Sequence, residues 1–255
     1  MPFCLRAPTT MIRQGLGHSA PWLRGMNVSP VIEPLLERSI SQLSVPGILI
    51  DYRLISPGDE QALRDEEERS IASQVVKTRR ASGAARIVGR RLLARIGYRD
   101  CEIPKGPSGA PLWPTGIVGS FSHDDDVAVA AIGLARDFSA VGIDIEPTET
   151  LPAELWELIA TPREKMTARS DLHHGRLLFA AKEAVYKAIV VLDGTLLDYK
   201  DIDVDLVDRH ALLSDGRLIE LQYCTAPHLV VLAFVPCPLR TRMENPHSGV
   251  SEVSA

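Results

Sequence analysis

Apolar and polar residues alternate, or recur at helical spacing, along most of the chain, and these two patterns predict a succession of strands and helices. In the first part, a short helix is predicted in EPLLERSISQL and a strand in GILIDYRLI. The long segment that follows, from Ser56 to Gly97, has helical character, with a break or kink suggested at Ser82 and Gly83.

A loop rich in proline and glycine, PKGPSGAPLWPTG, separates this segment from the second part of the chain. Three strand-like runs joined by short polar turns follow it and predict a small β-meander: IVGSFSH, VAVAAIGL and AVGIDIE. Helical spacing then returns in PAELWELI and GRLLFAAKEAVYKAIVVL, before three more strand-like runs: DIDVDLV, RLIELQY and HLVVLAFV. The two halves resemble each other in element order, and a cleft between such halves is a frequent ligand site.

Four parts are predicted along the chain. Residues 1–30 form a loose N-terminal extension, which is either disordered or the product of a start codon placed upstream of Met26. An N-terminal subdomain covers 31–142 and a C-terminal subdomain covers 143–239, and a polar, flexible tail covers 240–255. No apolar run approaches the roughly 20 residues that cross a bilayer.

The stretch VGIDIEPTE, residues 141–149, carries two carboxylates in an alternating pattern. Because successive side chains of a strand point to opposite faces, Asp144 and Glu146 share one face, and Ile143 and Ile145 share the other. Two interpretations stay open for this pattern alone. The strand is either half-buried with its polar face in water, or it provides half of a metal site.

Composition narrows the class of protein. A chain of 255 residues with 45% apolar content can bury a substantial core, and a net charge of -5 argues against general affinity for nucleic acid. The cysteines show no metal-ligand or disulfide spacing, which favours reduced thiols in a cytoplasmic protein. Positive charge is concentrated between Glu68 and Asp100, where no acidic residue occurs, and this basic window predicts an anion site.

Three short stretches carry candidate chemistry when they are considered together. GSFSHDDD contains Ser122 and His123, and FAAKEAVYKA places Lys182, Glu183 and Lys187 on a helix. Taken alone, the glutamate and the second lysine of that helix are an ordinary exposed pair at i,i+4 spacing. Together with the carboxylates of VGIDIE, they form a set of oxygen ligands and cations that suits Mg²⁺ and a phosphorylated substrate.

GSFSH, GIDIE and FAAKEAVYKA, in this order, resemble the three signature blocks of the 4'-phosphopantetheinyl transferases. The likeness is greatest to the longer, pseudo-dimeric group of surfactin-type and enterobactin-type enzymes, and it runs from about Val45 to Pro236. The resemblance implies an α+β fold with two similar subdomains, each a small, mostly antiparallel sheet packed with a long helix. It also implies transfer of the phosphopantetheine arm of coenzyme A to a serine of an acyl- or peptidyl-carrier protein, by a cytoplasmic monomer.

The same resemblance implies roles for individual residues. Asp144, Glu146 and Glu183 match ligands of Mg²⁺, for which Mn²⁺ is the alternative, and Glu183 is also the candidate catalytic base. Lys187 matches a catalytic lysine that contacts phosphate. The residues implied in coenzyme A binding are Arg79, Arg86, Ser122, His123, Lys182 and Lys187, with Arg90 as an alternative to Arg86.

Asp124, Asp125 and Asp126 depart from what an anion site next to His123 needs. Either they point outward in a hairpin turn, which we favour, or they weaken coenzyme A binding. Two other functions compete with the transferase: a Mg²⁺-dependent hydrolase of pyrophosphates or nucleotides, and a non-catalytic scaffold that binds coenzyme A or a carrier.

Overall fold

The computed structural model describes residues 29–167 and 173–238. The predicted tail and nearly all of the predicted N-terminal extension therefore lie outside the described residues. The N-terminal half contains α1 (Ser29–Ser41), β1 (Ile48–Leu54), a 3-10 helix (Asp59–Ala62), α2 (Asp65–Ser70), α3 (Val76–Arg95), β2 (Ile117–His123) and β3 (Val127–Leu134). The C-terminal half contains β4 (Phe138–Pro147), α4 (Ala153–Ile159), α5 (Pro162–Thr167), α6 (His174–Asp193), a 3-10 helix (Tyr199–Asp201), β5 (Ile202–Asp205), β6 (His210–Leu213), β7 (Leu218–Cys224) and β8 (His228–Pro236).

The strands form two antiparallel sheets, which confirms the α+β prediction. The first sheet has the order β1-β3-β2, and the second has the order β4-β8-β7-β6-β5. The chain passes from one sheet to the other between Leu134 and Phe138, a few residues before the predicted subdomain boundary at residue 143.

The predicted β-meander of three consecutive strands is wrong. β3 already pairs with β1 on one side and β2 on the other, so neither edge of β3 is left for β4. β4 instead pairs with β8, with Asp144 opposite Val231. The strand that carries the candidate carboxylates thus belongs to the second sheet.

The long helical segment of the first half is interrupted at a different place from the predicted one. α3 runs without a break through Ser82 and Gly83, and the helical structure stops instead between α2 and α3, at residues 71–75. Gly83 lies against the 3-10 helix, where a Cβ would be 1.9 Å from the carbonyl oxygen of Asp59. The glycine therefore serves close packing, and it does not break the helix.

Three apolar layers hold these elements together. The middle layer lies between the two sheets and includes Val129 of β3 and Ile143 of β4. One outer layer packs α3 on the first sheet through Leu92 and Ile132, and the other packs α6 on the second sheet through Phe179. Each half is thus a sheet covered on its outer face by a long helix. Among the described helices, none is long and apolar enough to cross a membrane.

Candidate active site

β4 and α6 approach each other closely at Gly142. A Cβ on this residue would lie 2.0 Å from the carbonyl oxygen of Ala184, so only glycine allows the observed packing. Asp144 and Glu146 share the face of Gly142, because they follow it at intervals of two along the strand. Both carboxylates therefore face α6 and are buried, and the interpretation of β4 as a half-buried strand with a wet face is wrong.

Asp144 joins three elements through hydrogen bonds and an ion pair. Its Oδ1 accepts a hydrogen bond of 2.7 Å from the Ser122 hydroxyl on β2 and lies 2.6 Å from Nζ of Lys187 on α6. Lys187 also donates to the carbonyl oxygen of Ile143 at 3.1 Å. The three signature stretches thus meet at one fully buried carboxylate. The alternative of an exposed Glu183–Lys187 pair is also wrong, since Lys187 is bound to Asp144 and Glu183 is buried.

Glu183 is held by a tyrosine that the sequence analysis did not identify. The Tyr199 hydroxyl donates to Oε1 of Glu183 at 2.6 Å, and both side chains are buried. Tyr199 lies in the short 3-10 helix before β5 and belongs to none of the three signature stretches. A single tyrosine in an irregular segment carries no pattern that would have pointed to this contact.

Glu146 is bound by a second residue that the sequence analysis missed. Nη1 of Arg176, in the first turn of α6, lies 3.1 Å from Oε2 of Glu146. The same guanidinium donates to the carbonyl oxygens of Glu149 and Thr150, at 3.3 and 3.2 Å. Arg176 is buried and therefore fixes both the carboxylate and the chain segment that leaves β4. The sequence feature that could have pointed to Arg176 is its position directly before the apolar residues of the predicted helix.

Lys182 does not occupy the position expected of a coenzyme A ligand. Its ammonium group donates to the carbonyl oxygens of Ile159, Tyr199 and Ile202, at 2.8, 2.8 and 2.7 Å, and lies 2.8 Å from Glu164. The side chain is fully buried, and burial lowers the pKa of Lys182 although Glu164 opposes this effect. One step along a helix rotates a side chain by about 100°. Lys182 thus points into the C-terminal core and is a structural residue, which corrects the expectation from sequence.

The basic window is largely neutralised by acidic residues that precede it in the chain. Arg79 forms an ion pair with Glu68, and Nη1 of Arg90 lies 2.7 Å from both carboxylate oxygens of Glu67. Arg80 pairs with Glu60 at 2.9 Å in the same way. The local excess of positive charge seen in the sequence is therefore much smaller in the folded subdomain. A role for Arg79 in nucleotide binding stays a prediction.

Arg86 is buried beside the strand that carries the serine and histidine of the first signature stretch. Its Nε donates to the carbonyl oxygen of Ile103 at 3.2 Å, and its guanidinium lies 5.5 Å from the ring centre of Phe121 on β2. Burial lowers the pKa of Arg86. Contact with β2 connects Arg86 to the strand of Ser122 and His123, and its binding of the nucleotide end also stays a prediction.

The aspartates after His123 differ from one another in environment. Asp125 and Asp126 are exposed, and Asp125 forms an ion pair of 2.7 Å with Lys77. Asp124 instead points inward, where its Oδ2 lies 3.1 Å from Nε2 of His228 on β8. The expectation that all three point outward is thus wrong for Asp124.

The donor set of the site suits a hard cation. Asp144, Glu146 and Glu183 offer carboxylate oxygens from two elements in direct contact, which is the ligand type that Mg²⁺ prefers. Among residues 29–167 and 173–238, no three histidine, cysteine or acidic side chains form a ready-made metal-binding group. The carboxylates are held instead by Lys187, Tyr199 and Arg176. A cation bound here would therefore compete with these internal partners.

Comparison with protein families assigns both halves of the chain. A family model for the 4'-phosphopantetheinyl transferase N-terminal domain matches residues 66–133, and a model for the 4'-phosphopantetheinyl transferase superfamily matches residues 140–233. The second matched range contains the carboxylates of β4 and the whole of α6.

Individual relatives agree with this assignment. The 4'-phosphopantetheinyl transferase Npt of Nocardia iowensis is 41% identical over 54% of this chain and 64% of its own length. The 4'-phosphopantetheinyl transferase Svp of Streptomyces mobaraensis is 34% identical over 64% of this chain and 69% of its own length. Enterobactin synthase component D of Salmonella typhimurium is 36% identical over 58% of this chain and 68% of its own length. The chain thus matches slightly less than two thirds of Npt and slightly more than two thirds of the other two relatives, and it belongs to the 4'-phosphopantetheinyl transferase superfamily.

Proposed function

We propose that the protein transfers the 4'-phosphopantetheine arm of coenzyme A to a serine of an acyl- or peptidyl-carrier protein and releases adenosine 3',5'-bisphosphate. The main support is the meeting of Ser122, Asp144 and Lys187 in one hydrogen-bonded cluster, which unites β2, β4 and α6. Membership of the transferase superfamily gives the reaction class. Coenzyme A lies, in this proposal, in the cleft between residues 31–142 and 143–239.

Glu183 is the proposed base for the incoming serine. A serine hydroxyl is a weak nucleophile until a base removes its proton, and a buried carboxylate oriented by the Tyr199 hydroxyl is suited to that task. The serine oxygen forms a bond to the β-phosphorus of coenzyme A, and its proton passes to Glu183. The bond from that phosphorus to the bridging oxygen breaks, and the electron pair leaves with adenosine 3',5'-bisphosphate.

Cationic and hydroxyl groups hold the substrate in this proposal. Lys187 lies at the boundary between buried Asp144 and solvent, with 21% of its side chain exposed, and contacts the phosphate that is being transferred. Ser122 and His123 bind the phosphates of coenzyme A, and Arg79 and Arg86 bind its nucleotide end. Lys182 has no part in binding, because its ammonium group is enclosed in the core.

Asp144, Glu146 and Glu183 are the proposed ligands of a divalent cation, Mg²⁺ or Mn²⁺. When bound, such an ion neutralises charge on the pyrophosphate. Arg176 and Lys187 form ion pairs with two of the same carboxylates, so they hold these buried acids in place. One chain supplies both halves of the site, and we therefore propose an active, cytoplasmic monomer.

The test combines purified protein, coenzyme A, Mg²⁺ and several apo carrier proteins, with intact mass of each carrier as the readout. We expect a carrier to gain one phosphopantetheine, and the gain to disappear with EDTA and in Glu183→Gln. Glu154→Gln, which changes an exposed acid of α4, is the matched control and is expected to keep activity.

Each competing function has its own outcome in this assay. Release of adenosine 3',5'-bisphosphate without any carrier would indicate the hydrolase. Binding of coenzyme A by folded protein, without product on any carrier, would indicate the scaffold.

A further inference from the structure

A buried ion pair connects the two halves beside the candidate site. Asp124 directly follows β2 of the first sheet, and His228 begins β8 of the second. Their Oδ2 and Nε2 atoms are 3.1 Å apart, and the two side chains are only 11% and 10% exposed. On β4, Pro147 is the partner of His228, so the pair lies at the end of the strand that carries Glu146.

The other carboxylate oxygen of Asp124 shapes the turn between β2 and β3. Oδ1 accepts hydrogen bonds from the backbone N–H groups of Asp126 and Val127, at 2.8 and 2.7 Å. The Asp124 N–H donates to the carbonyl oxygen of Val127 at 3.0 Å. One side chain thus fixes the local turn with one oxygen and attaches that turn to β8 with the other.

The backbone of Asp124 also contacts the histidine of the first signature stretch. Nδ1 of His123 lies 3.2 Å from the carbonyl oxygen of Asp124. In the tautomer with its proton on Nδ1, the imidazole donates to this carbonyl, and the contact fixes the orientation of the ring. Any displacement of Asp124 therefore displaces the hydrogen-bond acceptor of His123.

The charge of His228 supports coenzyme A binding in the same way as its contact with Asp124. An isolated carboxylate next to the proposed phosphate sites would repel coenzyme A, and the imidazolium of His228 offsets that charge. Burial lowers the pKa of His228, but the hydrogen bond to Asp124 and the charges of Asp124 and Asp126 together outweigh burial, so the pKa is raised. The pair is thus stabilised in its charged form.

We propose that His228 is a positioning residue for coenzyme A binding, acting through Asp124 on His123. This inference rests on the proposed function. His228 itself contacts no substrate. Its role is to hold the turn so that the His123 ring faces the phosphates and the Asp124 charge is neutralised.

The experiment compares His228→Leu, which removes the donor, with His228→Gln, whose amide can donate from nearly the same position. For each variant, kcat and the KM for coenzyme A are measured with a carrier, and the Kd for coenzyme A is measured by calorimetry. We expect His228→Leu to raise KM and Kd about tenfold, the effect of one lost hydrogen bond to a charged group, with kcat changed less than about twofold. His228→Gln is expected to recover most of the affinity.

Two aspartate variants distinguish the effect of the Asp124–His228 pair from the effect of negative charge elsewhere in the turn. Asp124→Asn keeps an oxygen for the turn but loses the ion pair together with the repelling charge, so it is expected to raise KM, though less than His228→Leu, and to be non-additive with it. Asp125→Asn removes the neighbouring exposed carboxylate and is expected to leave KM unchanged.

Equal KM for wild type and folded His228→Leu would overturn the proposal, as would an equal rise in KM for Asp125→Asn. If His228→Leu does not fold, Asp124→Asn and a comparison of His228→Gln with His228→Asn decide the question. The shorter amide of His228→Asn does not reach Asp124, so this variant is expected to bind coenzyme A more weakly than His228→Gln. If wild-type protein transfers nothing, the proposed function fails, whereas the Kd values still decide the role of His228.

Discussion

At the residue scale, the candidate site consists of buried acids that are each held by a donor from elsewhere in the chain. Asp144 is bound by Ser122 and Lys187, and Glu183 is bound by Tyr199. Buried carboxylates without such donors would become protonated or displaced, because removal of a charge from water is costly. The donors therefore offset part of the cost of burying these acids and hold them in place.

Tyr199→Phe tests this arrangement at Glu183. The substitution removes one hydroxyl and leaves the ring beside Phe179. We expect the free energy of unfolding to fall by about 1–2 kcal/mol and kcat to fall by about tenfold or more, since Glu183 loses its orientation. Urea denaturation and steady-state kinetics measure the two effects.

Tyr223→Phe is the matched control, because its hydroxyl donates to the carbonyl oxygen of Leu206, in the same half but outside the site. It is expected to lower stability slightly and to leave kcat unchanged. Equal kcat for wild type and Tyr199→Phe would contradict a functional role for the Glu183 contact.

Lys182→Met tests the structural role of the first lysine of α6. The variant leaves Glu164 buried without its cation and removes a donor from three carbonyl groups, so we expect a loss of about 3–5 kcal/mol in the free energy of unfolding. Urea denaturation measures this loss, and calorimetry at low temperature measures the Kd for coenzyme A on folded protein.

Lys187→Met, five residues further along the same helix, provides the comparison. It is expected to reduce transfer strongly and stability less, because Lys187 is partly exposed. A Lys182→Met protein with wild-type stability but weakened coenzyme A binding would contradict the structural role and support Lys182 as a coenzyme A ligand.

Sequence patterns identified the acids of the site and the partners of Asp144, but not the residues that hold Glu146 and Glu183. Ser122, Asp144 and Lys187 stand in recognisable stretches, so their meeting could be predicted from the resemblance. Tyr199 and His228 are single residues of common types, and their contacts arise only when the second sheet folds. A tertiary contact between distant positions leaves no periodic signal in one sequence.

At the element scale, the distance between β4 and α6 determines whether the acids on both can form one site. Gly142 allows these elements to touch, and the face of β4 that carries it also carries Asp144. β4 stands at one end of the second sheet and hydrogen-bonds to β8, so its position also depends on that strand. Small changes at either contact therefore reach the carboxylates.

Gly142→Ala is expected to separate the strand from the helix. The added Cβ would meet the backbone of Ala184 at 2.0 Å, and a backbone atom cannot rotate away. We expect a loss of about 3 kcal/mol in the free energy of unfolding, at the upper end of overpacking effects, together with loss of transfer activity. Chemical denaturation and the carrier mass assay measure these changes.

Gly175→Ala, in the first turn of α6, is the control, since its nearest atom would be at an ordinary 3.4 Å. Alanine is favoured there by helix propensity, so stability is expected to stay equal or to rise by about 0.5–1 kcal/mol. Normal activity in Gly142→Ala would contradict the importance of the β4–α6 contact.

The ion pair between the β2–β3 turn and β8 predicts a pH dependence of stability. The pKa of His228 is raised from its ordinary value of 6.5, so its contribution is fully present below about pH 6.5 and is lost as the pH rises through the higher folded value. The pKa of Asp124 is lowered from 3.8: burial raises it, but the hydrogen bond and charge of His228 and the turn N–H groups outweigh that effect. Its contribution is therefore lost as the pH falls through the lower folded value.

Denaturation at a series of pH values checks this prediction. The stability difference between wild type and His228→Leu is expected to be largest from about pH 4 to 6.5 and to shrink above that range. A difference that stays constant with pH would show that the imidazolium does not contribute.

Most individual elements could be predicted from the hydrophobic pattern, whereas their partners could not. The pattern of β4 is the same whether it pairs with β3 or with β8. Alternation of apolar and polar residues shows which faces of a strand are buried, but it does not show which strand is the hydrogen-bonded neighbour. The break between α2 and α3 was misplaced for a similar reason. Gly83 has the sequence signal of a helix break, but its cause is a close neighbour that only the fold reveals.

At the scale of the whole molecule, two sheets packed against each other are each covered by a long outer helix. The candidate site uses both halves, with Ser122 from the first sheet and Asp144 from the second. The repetition of strands and helix in the sequence indicated two similar halves. The sequence did not indicate that acids of the first half neutralise most of its arginines, since those acids precede the basic window in the chain.

The pairing of β4 with β8 also bears on how the protein is made. Every candidate site residue is encoded before β8, yet Asp144 gains its strand partner, Val231, only when the end of the second half has been synthesised. Closing so long a loop costs configurational entropy, so we expect this contact to form after the local contacts of each half. A nascent chain that ends before residue 228 therefore carries all the proposed catalytic residues without β8, and we expect a premature stop codon there to abolish transfer as completely as Glu183→Gln.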